Sequence, residues 1–213
     1  EVAGVVGIEA TAGPSELVVI ADDSTAPEWV AIDLMAQAEH GPNGAAVLVT
    51  WSETLAGASD AALADLVAAS PRRAEIEATL GSGGRAVLVD GPEPAMAVSN
   101  VVAPEHLQLM NDDPEKLIPL VRNAGAVFCG PFAPAAVGDY VAGSNHVLPT
   151  NRTARFSNAL RVDTFLKHIH VVSLDEVTLA KVEPHVSAFA EVEGLDSHGK
   201  SVRMRRSAPG ATQ

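Results

Sequence analysis

The chain has 213 residues, 47% hydrophobic and 19% charged, an ordinary globular composition with no disorder signature. Its formal net charge of −13 disfavours nucleic-acid or anionic-membrane binding, which needs a basic surface. A single cysteine, Cys129, excludes an intrachain disulfide framework and fits a reducing cytoplasm; no apolar run reaches membrane-spanning length, and no signal peptide is expected.

Leu17 to Asp22 is a continuous apolar run ending in acid, as in a buried parallel strand. A helix is expected from Pro27 to His40, with proline early where it is tolerated and Gly41-Pro42 as the stop. Near its end Gln37 and His40 are three apart, so on a helix they share a face one turn apart, the way a helix offers two ligands to one metal. A plain polar helix terminus is the alternative. Ala45 to Thr50 reads as a second buried strand, Ser52 to Ala69 and Pro71 to Leu80 as helices, and Arg85 to Asp90 as a third strand. Gly81-Ser82-Gly83-Gly84 follows a helix and precedes a strand, the reverse of a dinucleotide fingerprint, and is read as a helix-ending turn.

Asn100 to Leu107 sets two proton-transfer groups side by side, with Pro104 starting a short helix and Glu105 and His106 in its first turn. The positive end of that helix dipole would keep His106 neutral and able to accept a proton. An acidic helix start with a surface histidine is the alternative. Pro114 to Val121 is expected to be helical and Ala126 to Gly130 a fourth strand, with Cys129 a small buried hydrophobe rather than a nucleophile. Gly138 to Thr150 is rich in Gly and Pro, a loop over a strand end of the kind that binds ligands in α/β proteins; it brings Asp139 and His146. Leu174 to Glu193 and His198 to Arg206 look helical, joined at Gly194, and Ser207 to Gln213 reads as a frayed tail. His168, His170 and His185 carry no such context. Strands alternating with helices argue a parallel α/β sheet with right-handed crossovers.

Six blocks then stand in one order: Ala12-Gly13-Pro14-Ser15-Glu16, Gln37-Ala38-Glu39-His40, Ala103-Pro104-Glu105-His106-Leu107, Gly138-Asp139-Tyr140, Asn145-His146-Val147-Leu148-Pro149-Thr150 and Glu193-Gly194-Leu195-Asp196-Ser197-His198. In that order they resemble histidinol dehydrogenase, nearly end to end over this chain but over only the C-terminal part of that family's length. The resemblance implies an incomplete Rossmann-like α/β domain over residues 1–160 and a helical dimerisation segment over 161–213. It implies Zn²⁺ and NAD as cofactors, and oxidation of L-histidinol to L-histidine through a bound aldehyde in the cytoplasm. By resemblance Gln37, His40, Asp139 and His198 are the zinc ligands, and Glu105 and His106 the catalytic acid/base pair. Ser15, His146 and Glu193 would contact substrate along with His106 and the four ligands.

The resemblance also implies a homodimer with a shared active site, in which Glu193 and His198 complete the partner's site. Two neutral imidazoles, one neutral amide and one carboxylate would leave bound Zn²⁺ with net charge of about +1, still a Lewis acid. The family's N-terminal half, with its NAD contacts, is absent from this sequence, and the start at Glu1 fits a piece of a longer chain. Two rival readings are a related zinc and NAD dehydrogenase of another small alcohol, such as a sulfonated diol that Glu193 would repel, and a non-catalytic zinc-binding fragment. No HExxH supports a metalloprotease.

Overall fold

The computed structural model describes residues 4–206; the expected frayed tail Ser207–Gln213 lies outside them. Two compact units divide between Leu166 and Lys167. The first is built on β1 (Glu16–Ala21), α1 (Pro27–Ala38), β2 (Ala45–Thr50), α2 (Glu53–Ala69), α3 (Arg73–Gly83), β3 (Gly84–Leu88), α4 (Pro92–Val102), β4 (His106–Met110), β5 (Ala126–Cys129) and α5 (Ala135–Tyr140). All strand pairs are parallel, in the order β3-β2-β1-β4-β5. That is the Rossmann order short of its sixth strand.

The apolar run of β1 splits by period two. Leu17, Val19 and Ala21 pack with Val30 and Leu34 of α1, while Val18 and Ile20 pack with Ala95 and Met96 of α4. Every residue of β1 is buried because helices cover both faces, which is why its sequence does not alternate. Ser52 caps α2 by accepting from the Leu55 N–H, and Pro27 and Pro92 each stand in the first turn of their helices.

Several expectations change. Pro104 opens no helix: His106 is the first residue of β4, paired in register with Leu17. Polar His106 and Gln108 on a fully buried strand hide the apolar run that would have marked it. The helix α4 fills the stretch after Gly91, with its prolines confined to the first turn. Gly81-Ser82-Gly83 form the last turn of α3, and β3 starts at once at Gly84. Pro114–Leu120 is a 3-10 helix with Pro119 inside it, where proline removes a backbone donor. Gly138 and Asp139 lie on α5 rather than in a loop.

The second unit holds α6 (Glu176–Val192) and α7 (Asp196–Arg206). Asp175 caps α6 through the Thr178 N–H, and Gly194, at φ 69°, makes the left-handed turn between the helices. Val171, Val172, Phe189 and Val192 are exposed. Among the described residues no helix is long and apolar enough to cross a membrane.

Candidate functional site

Seven of the nine residues singled out in the sequence belong to the first unit, and all seven are joined by short contacts or one cavity wall at the amino ends of β1 and β4. The helix α1 runs antiparallel to the strands, so its C-terminus returns Gln37 and His40 to that end. Ala103, at φ 55°, caps α4 in the left-handed region and turns the chain so that Glu105 and His106 enter β4 beside Glu16. This is the opposite edge from the one where open α/β sheets bind ligands, and it corrects that part of the loop reading. The sideways position does follow the rule: β1 and β4 are neighbours at the point where the strand order reverses.

His106 is 2% exposed. Its Nδ1–H donates to the Glu16 carbonyl at 3.2 Å, which leaves Nε2 as the acceptor, 3.2 Å from His146 Nε2. Burial pushes the His106 pKa below its ordinary value; the charges of Glu105 and Asp139 oppose that shift. The ring is therefore a neutral base whose protonated form finds two carboxylates nearby, at 3.6 Å and 3.9 Å. Neutrality comes from burial, not from a helix dipole.

Glu105 is anchored by the Glu16 N–H, which donates to its Oε2 at 3.2 Å. Half-exposed His146 brings its Nε2 within 3.1 Å of Asp139 Oδ1 and 4.0 Å of Glu105 Oε1. Glu16 itself is buried, and that burial, with Glu105 adding to it, raises its carboxyl above the usual range; the Arg152 N–H, donating at 3.4 Å, opposes the shift.

Gln37, His40 and Asp139 line one cavity of ≈ 30 Å³ together with His106, room for about one ion or water. The residues fit a zinc ion on four counts. His40 lies just past the end of α1, where its Nδ1–H donates to the Gln37 carbonyl at 3.2 Å and leaves Nε2 with the lone pair a metal needs. Gln37 Nε2 and Asp139 Oδ1 are buried without a hydrogen-bond partner; the Asp139 approach to His146 is an ion-pair distance without hydrogen-bond alignment. Ser15 Oγ donates to Gln37 Oε1 at 3.2 Å, and a half-turn of the amide would give that bond to Nε2 and free the oxygen as a ligand. The C-terminal end of α1 carries the partial negative charge that suits a cation. Glu105, His106 and His146 form a second metal-capable group, their donor atoms within 4.8 Å of one another.

Glu193 and His198 belong to the second unit. Glu193 is the C-terminal cap of α6 and His198 is in the first turn of α7, its N–H on the Leu195 carbonyl; both are exposed. Cys129, at the end of β5, is half-buried, and burial with the Glu115 charge pushes its thiol pKa up, away from nucleophilic thiolate. Sequence reasoning missed Glu16, Asp33 and Gln108. Their signal was present as a carboxylate at the head of β1, a carboxylate one turn before Gln37, and an amide on a core strand.

A family model described as histidinol dehydrogenase matches residues 1–206. The histidinol dehydrogenase of Parasynechococcus marenigrum (strain WH8102) is 48% identical over 204 residues, which cover 96% of this chain and 47% of that protein. That of Thermobifida fusca (strain YX) is 47% identical, covering 95% and 46%. The crystal structure of histidinol dehydrogenase from Elizabethkingia anophelis superposes with a TM-score of 0.79 at 36% identity, covering 94% of this chain and 46% of that one. The chain thus spans about half the length of the curated relatives it matches.

Proposed function

The chain belongs to the histidinol dehydrogenase family, and on that premise we propose that it carries the zinc and proton-transfer part of an oxidoreductase of histidine biosynthesis. The reaction is oxidation of L-histidinol to L-histidine through L-histidinaldehyde. The observation that supports it most is the neutral buried base His106, its Nε2 lone pair directed to His146, on the wall of the same small cavity as Gln37, His40 and Asp139. These three, with His198, would hold Zn²⁺. They are preferred to the Glu105–His106–His146 group because the unpartnered buried atoms belong to Gln37 and Asp139, and because a metal on His106 would consume the base.

When bound, Zn²⁺ fixes the amino alcohol as a Lewis acid and NAD accepts the hydrides. His106 Nε2 takes the alcohol proton; its Nδ1–H stays on the Glu16 carbonyl, so the ring cannot rotate away. Glu105 and Asp139 offset the charge that appears on the ring. For the second oxidation Glu105, held by the Glu16 N–H, takes a proton from the water that hydrates the aldehyde. His146, half-exposed beside Asp139, and Ser15, bonded to Gln37, orient the substrate. Glu193 receives its cationic end, which favours histidinol over a sulfonated diol. NAD contacts are assigned to no residue here; they fall to the part of the family's length outside this chain. The reading includes a cytoplasmic homodimer whose partner supplies Glu193 and His198, supported by the exposed apolar residues of the second unit.

In the intact protein that contains this chain, L-histidinol should reduce two NAD per histidine formed. His106→Asn should slow alcohol oxidation and Glu105→Gln chiefly aldehyde oxidation, by about 10²–10⁴-fold each. Equal losses of both variants on both substrates would remove this division of roles, and unchanged zinc content in His40→Asn would remove the metal assignment.

A further inference from the structure

The core strand β4 buries an amide, Gln108, with no accessible surface. A buried amide is costly unless its donors and acceptor are met. Gln108 meets them: Nε2 donates to Asp33 Oδ2 at 2.5 Å and lies 2.9 Å from Met110 Sδ, and Oε1 accepts the Ala135 N–H at 3.3 Å. Two of those partners sit on the other elements that carry the site. Asp33 is one turn before Gln37 on the same face of α1, and it lines the same cavity. Ala135 is the first residue of α5, one turn before Asp139, and its N–H has no partner inside the helix. Gln108 itself is two residues after His106, on the same face of β4.

We propose that Gln108 is a positioning residue: it braces α1 through Asp33 and α5 through Ala135, and so sets Gln37 and Asp139 at the spacing from each other and from His106 that the site requires. The proposal builds on the metal reading above. An apolar residue would fill the strand equally well, but it would leave the Asp33 carboxylate and the Ala135 N–H unmet and each helix free to shift. Burial raises the Asp33 carboxyl pKa and the Gln108 donation opposes it, as expected for an anion that depends on this one amide.

The test uses the purified full chain with two readouts, Zn²⁺ affinity by competition with a chromophoric chelator and backbone amide exchange of the metal-free protein. Gln108→Leu should weaken zinc by about 10–100-fold, as loss of a group that orients metal ligands does. It should also speed exchange over residues 34–38 and 135–140 while Val18–Ile20 stay protected. Asp33→Ala, a change at a half-buried position, should weaken zinc and loosen residues 34–38. Asp33→Asn, which still accepts from Gln108, should restore both. A residue that only contributed stability would raise exchange throughout the sheet and would not distinguish Ala from Asn at position 33. Exchange over residues 34–38 that is the same in wild type and Asp33→Ala would overturn the proposal even where Gln108→Leu does not fold. Should the wild-type chain bind no zinc while these local exchange changes persist, the metal reading falls and the brace stands.

Discussion

Gly138→Ala tests the packing that places Asp139. A Cβ at Gly138 would meet Phe128 Cζ at 2.5 Å and Cε1 at 2.7 Å, against about 3.5–4.0 Å for comfortable carbon contact. The ring has to withdraw by about 1 Å, and His106 is one of the groups beside it, ring centroids 5.9 Å apart at 45°. Either Phe128 presses on His106 or α5 lifts, carrying Asp139 with it. Overpacking of this kind costs about 1–3 kcal/mol, while alanine's higher helix propensity returns up to about 1 kcal/mol. The net loss of about 0.5–2 kcal/mol corresponds to a Tm lower by about 1–8 °C in a chain of this size. Thermal melts followed by circular dichroism measure it, and chelator competition should show weaker zinc binding in the same variant. The decisive comparison is the Phe128→Leu background, where the ring is gone and Gly138→Ala should become neutral or stabilising. An equal effect of Gly138→Ala in both backgrounds would refute the clash as the cause.

Gly57, inside α2, has open space where a Cβ would stand; Gly57→Ala should raise stability by about 0.5–1 kcal/mol in urea unfolding, and a destabilisation would show that α2 is crowded there. Because burial holds the His106 pKa below its ordinary 6.5, the unfolded chain takes up a proton that the folded ring refuses, so stability is full above that pH and is lost as pH falls below it, by at most about 1.4 kcal/mol per pH unit. The wild-type minus His106→Asn difference should carry that slope, since the opposite slopes of Glu16 and Asp33 are shared by both proteins and cancel; a flat difference between about pH 7 and 5 would refute it. Two inactive forms of the intact protein, His198→Asn and His106→Asn, should regain activity in mixed dimers because both defects then fall in one site; dead mixed dimers after verified subunit exchange would place the site within one chain.

What the sequence showed and what it hid divide along physical lines. β1 and β2 were legible because both faces are covered by helices, so the residues form unbroken apolar runs of strand length. The blocks around Gln37, His106 and Asp139 stood out by residue type and spacing, and the structure brings those three side chains to one cavity. Their backbone settings were not legible: Asp139 reads as loop because Gly138 precedes it, yet that glycine is there to admit the Phe128 ring against a helix. β4 was hidden for a related reason. A strand that carries His106 and Gln108 on one buried face breaks the apolar run that identifies buried strands, while Leu107 and Leu109 on the other face are too few to restore it. The polar residues that spoil the pattern are those proposed as the base and the brace of the site. His106 makes the point most sharply, since the expected neutral imidazole is found with a different cause. A helix start would have supplied a dipole, which salt and exposure weaken. The strand supplies burial at 2% exposure and a backbone carbonyl that fixes the tautomer. A base made neutral by burial is less sensitive to ionic strength than one made neutral by a dipole, so the pH dependence assigned to His106 should persist unchanged in high salt.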